Sequence, residues 1–174
     1  MTSKRTILSI ATAMLIAAIA LSSVFLFEPL VTATATNTVT ASANVVGTCY
    51  ISLSSNTINF GNILPNANVP TNMLITDYDN GGNVAANILI SGTNWIYSSY
   101  SFGVSNTLWS ASMQSTYTGT ALTLTPTLTS TGIVIPAPTQ TSTTTSNNIY
   151  FGLAIPAGTP AGVYTQTITI ENSC

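Results

Sequence analysis

Downstream of residue 35, apolar and polar side chains alternate with the two-residue period of a strand that buries one face. In residues 38–45, Val39, Ala41, Ala43 and Val45 fall on one side and Thr38, Thr40, Ser42 and Asn44 on the other. The C-terminal stretch repeats the pattern, with Tyr164, Gln166, Ile168 and Ile170 opposed by Val163 and three threonines. Between these two, runs rich in Val, Ile, Thr, Tyr and Phe recur between Gly, Pro and Asn clusters, and none keeps a helical period. The pattern predicts short strands over residues 49–53, 57–60, 73–76, 84–91, 95–104, 107–113, 149–155 and 163–171.

Turn chemistry adds detail. The Asn80-Gly81 step predicts a tight hairpin joining 73–76 to 84–91. Pro126 and Pro136 break the apolar stretches 121–128 and 132–135, which are therefore expected as edge strands or irregular segments. Residues 136–147, carrying Pro138 and a run of Thr and Ser, read as an exposed loop open to O-linked sugar. Nine or ten short strands, with no helix available for crossovers, imply an all-β fold: an antiparallel β-sandwich of jelly-roll type.

The N-terminus has a different pattern. Lys4 and Arg5 precede an apolar run over residues 7–27, followed by the small-residue pattern Ala33-Thr34-Ala35. Basic, apolar and small-residue regions in that order read as a signal segment spanning 1–35, which makes the protein an exported one. Two alternatives stay open: an uncleaved membrane anchor, since the run is long enough to span a bilayer, and a prepilin-type leader cut after Lys4-Arg5. In the latter, residues 6–27 would be kept as the helical core of a type IV-like pilin, although Thr6 departs from the small residue usual there.

Charge content then narrows the functions available. Charged residues make up 3% of the chain, against about 25% in an ordinary soluble domain. Lys4 and Arg5 are the only cations, so a chain starting at residue 36 has no Lys, Arg or His and keeps only Asp77, Asp79 and Glu171 as acids. Without cations it cannot neutralise phosphates, which excludes nucleic acid as a partner. Because apolar residues are 45% of the chain, a folded domain with a neutral, hydroxyl-rich surface is expected rather than disorder. Such a surface hardly titrates, so stability should be nearly constant at acid pH.

Candidate chemistry is sparse. The absence of histidine removes Ser-His-Asp triads and histidine metal clusters. Asp77 and Asp79, placed on a turn beside Gly81 and Gly82, have no further acid for glycosidase chemistry except Glu171 near the C-terminus. The segment 77–83 has Gly81 at the fifth position of a would-be calcium loop, and no glutamate follows at the twelfth, so it reads as a polar turn. No enzyme activity, metal or cofactor is expected. Trp95, Tyr97, Tyr100, Phe102 and Trp109 supply packing mass, with a sugar-stacking platform as the alternative use. Cys49 and Cys174 are too far apart in sequence, and too poor in neighbouring ligands, for a metal site; one long-range disulfide in an oxidising compartment is the simplest reading.

The runs CYISLSSNTINFG (49–61), NGGNVAAN (80–87) and SGTNW (91–95) resemble secreted filament subunits of archaeal surfaces, the bundling pili and threads, and their broader TasA and camelysin biofilm-fibre relatives. The segment IPAGTPAGVY (155–164) also resembles the spore-coat-U pilin domains. Both resemblances imply polymerisation by donor-strand complementation, in which the N-terminal strand of one subunit completes the sheet of the next. On that reading residues 36–46 are the donor strand, with Val39, Ala41, Ala43 and Val45 as its inserted face, and 47–174 form the pilin-like sandwich. The implied protein is a head-to-tail homopolymer at the cell surface serving adhesion or biofilm cohesion, with membrane contact only through the precursor's signal segment. Unlike thread proteins, this chain has no Asn-x-Ser/Thr sequon. A secreted carbohydrate-binding module, with exposed aromatics contacting glycans, is the reading from another class.

Overall fold

A computed structural model describes residues 40–139 and 143–174. The chain divides into two units, Met1–Ala43 and Asn44–Cys174. Of the first, only residues 40–43 are described; they are exposed and form no regular element. The proposed signal segment, the alternative helical core and Val39 therefore lie outside the described residues.

Among its described residues the second unit is all-β, as the alternation predicts, with a 3₁₀ turn at Val104–Asn106. Its strands are β1 (Ser52–Leu53), β2 (Asn68–Asp79), β3 (Ala86–Gly92), β4 (Trp95–Tyr97), β5 (Tyr100–Phe102), β6 (Thr107–Ser110), β7 (Thr120–Ala121), β8 (Thr129–Ile135), β9 (Thr145–Ala154) and β10 (Ile168–Ser173). One sheet has the order β1-β2-β9-β6-β7 and the other β10-β3-β8, every pairing within them being antiparallel. A small β4-β5 ribbon stands beside them.

The core lies between the sheets. Ile75, Ile149, Phe151 and Trp109 from one sheet meet Ile88, Ile90, Ile133 and Ile135 from the other, with Val104 and Leu122 at the side. The branched aliphatics favoured on a pleated surface thus fill the interlayer space. Within β2, three residues including Pro70 and Thr71 bulge out between Val69 and Met73. Proline, which has no N–H to donate, is tolerated at such an irregularity. Gly152 of β9 lies against this bulge, where a Cβ would run into Thr71. The Thr71 backbone bonds sideways instead, its N–H to Thr116 (3.1 Å) and its carbonyl to the Gln114 N–H (2.9 Å).

Several local expectations are corrected. β2 and β3 do not form a hairpin: they belong to different sheets, and residues 80–85 cross between them. The long apolar face of β2 pairs with β9, and this tertiary pairing overrides the local Asn-Gly signal. Residues 57–60 are not a strand; Ile58 and Phe60 pack on the core from an irregular segment. β9 starts at Thr145, so the polar residues Thr145, Ser146 and Asn147 are in a strand and not in the expected loop 136–147. Edge position is confirmed for β8, the proline-flanked strand.

Candidate subunit-interface groove

The sandwich is open along one side, where β1 borders one sheet and β10 borders the other. β10 pairs with β3 from Ile168↔Gly92 to Ser173↔Asn87, and among the described residues no strand lies along its outer edge. In β10 the inward residues Ile168, Ile170 and Asn172 are half-buried and the intervening ones exposed, as the sequence alternation predicts. An edge strand offers unpaired N–H and C=O groups to another strand.

Beside this edge runs an apolar trough. Its first part, 260 Å³, is lined by Leu53, Ile58, Ile75, Phe151, Ile168 and Ile170, among others. A second part, 880 Å³, continues past Leu64, Leu153, Ile155 and Val163; Ile58, Phe60, Trp95 and Tyr164 line both. Leu64 and Val163 stay 77% and 79% exposed, so the trough reaches the surface as apolar area rather than closing over it.

Polar bonds hold the trough floor in place. The Trp95 indole N–H donates to Thr107 Oγ1 (2.9 Å), and that hydroxyl donates to Gln166 Oε1 (2.9 Å). The Gln166 amide in turn donates to the Thr93 carbonyl (2.7 Å), tying the segment before β10 to the start of β4. Trp95 also stacks on Phe102, with centroids 5.7 Å apart, and meets Phe60 edge-on at 6.0 Å. Trp95 and Trp109 are thus core residues, while Tyr97 and Tyr100 face outward.

At one end of the trough the N-terminal segment is anchored. Cys49 and Cys174 are bonded as a disulfide, with Cα atoms 6.0 Å apart. Such a bridge fits an oxidising, extracytoplasmic environment. No helix among the described residues is long and apolar enough to cross a membrane. Asn83 clamps the same segment: its Oδ1 accepts from the Thr48 N–H (2.7 Å), its Nδ2 donates to the Val46 carbonyl (2.9 Å), and its N–H donates to the Thr48 carbonyl (2.8 Å). Upstream of this clamp Val45 is 78% exposed. Ala41, Ala43 and Val45, expected on the donor face, are exposed and outside any strand. Sequence reading missed Asn83 because nothing distinguishes a clamping asparagine from an ordinary turn asparagine until its partners, about 35 residues upstream, are in place.

Asp77 and Asp79 close this end from inside. They do not stand on a turn: both belong to β2, face inward and are 0% and 1% exposed. Asp77 Oδ1 accepts from the Asn172 side-chain amide (3.3 Å), which also donates to the Tyr50 carbonyl (2.9 Å). Burial pushes the Asp77 carboxyl up to about 6; Asn172 and the Ser52 backbone pull it down, and the neighbouring Asp79 adds to the rise. The expectation of a pH-insensitive fold is therefore corrected by one buried acid. No protein-family model, curated protein or solved structure matches this chain.

Proposed function

We propose that the protein is the structural subunit of an extracellular filament, polymerised by donor-strand complementation, and that residues 36–46 of one subunit lie along β10 in the trough of the next. The observation that carries this reading is the pairing, among the described residues, of an open edge at β10 with an apolar trough directly beside it. A strand added there gains main-chain hydrogen bonds from the edge and side-chain burial from the trough. Residues 38–45 have the matching chemistry, one small apolar face and one hydroxyl-rich face. The Asn83 clamp and the disulfide would then transmit tension from the donor arm into the body of its own subunit. Repetition of such a head-to-tail contact does not close, so it builds a fibre rather than a ring. Adhesion or biofilm cohesion at the cell surface is the role that suits a fibre with a neutral, cation-free exterior.

The test is deletion of residues 36–46. The truncated protein should stay soluble and unassembled by negative-stain microscopy, and a synthetic peptide of residues 36–46 should bind it and raise its melting temperature. Normal filaments from the deletion would refute the donor role.

A further inference from the structure

We propose that Asp77 and Asp79, together with Thr145 and Asn172, form a binding site for a divalent cation of the calcium class. The two carboxylates are fully buried side chains, and residues 6–174 contain no Lys, Arg or His that could neutralise them. A buried carboxylate without a counter-charge is strongly disfavoured. Neutralisation must therefore come from a proton or from a cation supplied by the solvent.

The surrounding atoms favour the cation. Asp77 Oδ2 and Asp79 Oδ2 are buried without a hydrogen-bond partner, and so are Thr145 Oγ1 and Asn172 Oδ1. The four residues that carry them are neighbours. Asp77 and Asp79, two residues apart on β2, face the same side of the sheet. Thr145 of β9 is the direct register partner of Asp79, which puts their Cβ atoms about 5 Å apart on that same face. Asn172 reaches in from β10, its amide nitrogen 3.3 Å from Asp77 Oδ1. A single proton shared by the two acids would leave one buried negative charge without a counter-charge, whereas a divalent cation balances both.

The glycines next to Asp79 orient it. The Gly81 and Gly82 N–H groups both donate to Asp79 Oδ1, at 3.3 and 2.6 Å, which leaves Oδ2 free. A Cβ on Gly82 would run into that carboxylate, so the close approach requires glycine. The donor set is all oxygen, with two formal negative charges, which suits a hard divalent ion that completes its shell with water. Among the described residues no three His, Cys, Asp or Glu side chains gather; half of this set is an amide and a hydroxyl. The ligands come from strands of both sheets rather than from one loop, and for that reason no calcium-loop spacing marks them in the sequence. A bound ion would tie β2, β9 and β10 together at the end where the disulfide sits.

The purified full-length protein, freed of metal with a chelator and returned to pH 7, is titrated with CaCl₂ by calorimetry and by thermal unfolding. The expected result is one saturable site with a dissociation constant on the order of 10⁻⁴ to 10⁻³ M, as in extracellular calcium modules. At about 10 mM calcium the melting temperature should rise by roughly 5 °C. Asp79→Asn should abolish both signals, and Glu171→Gln, at an exposed acid on β10, should keep them. Asn172→Ala, which retains both carboxylates, should weaken binding several-fold and serves as the decisive variant if Asp79→Asn does not fold. Absence of a calcium response in the wild-type protein, an undiminished one in Asp79→Asn, or unchanged affinity in Asn172→Ala overturns the site. Stabilisation by acid without any calcium response does the same and assigns the pair a shared proton.

Discussion

Removing the Cys49–Cys174 bridge, as Cys49→Ser/Cys174→Ser, should lower stability by about 5 kcal/mol. The two cysteines are 125 residues apart in sequence, so the bridge closes almost the whole described domain into one loop. In the chain-entropy account, the loss of freedom of the unfolded chain grows with the logarithm of loop length, and a loop of this size corresponds to about 5 kcal/mol at 25 °C. For a domain of this size that is a fall in melting temperature of roughly 15 to 20 °C. Because the effect acts on the unfolded ensemble, the variant should also unfold to a more expanded chain and show a steeper dependence on urea. The assay is urea unfolding followed by circular dichroism on the wild-type protein and the double variant, with both midpoint and slope fitted. A loss below about 1 kcal/mol at unchanged slope would mean that the unfolded chain is already constrained without the bridge and that loop closure contributes little here.

Gly152→Ala should destabilise by about 2 kcal/mol or more, because the added methyl meets Thr71 in the β2 bulge; thermal unfolding measures it, and a neutral effect would show that the bulge can move aside. Asn83→Ala removes both side-chain bonds to the 46–48 segment and should cost about 1 to 2 kcal/mol, read as faster amide exchange at Thr48 with little change in the β9 amides. In chelator, the protein should gain stability as pH falls from 7 to 4. The Asp77 carboxyl is raised to about 6 in the folded state, so between its unfolded value and 6 the folded protein binds the extra proton, and stability is lost as pH rises through 6. The full effect is at most about 3 kcal/mol, and Asp77→Asn should flatten the profile of midpoint against pH.

The local pattern carried the class of fold and the inward face of β10. The strict alternation of Ile168 and Ile170 with threonine announced a strand with one buried face. The absence of any helical period left only sheet-on-sheet packing to bury such faces. The count of cysteines and the lack of other ligands nearby left a disulfide as the simplest pairing. All of these are one-dimensional signals, because side-chain direction in a strand is fixed by residue parity.

Which strands become neighbours is a different kind of information. Asn80-Gly81 looked like a hairpin, yet β2 pairs with β9, some seventy residues downstream, because burying Ile75 against Ile149 and Phe151 outweighs a turn preference. That choice turned Asp77 and Asp79 from turn acids into buried ones and brought Thr145 and Asn172 beside them. Parity along each strand says which residues point inward; only the assembled sheets decide what they meet there, since cross-strand register is set by the summed burial of all the faces at once.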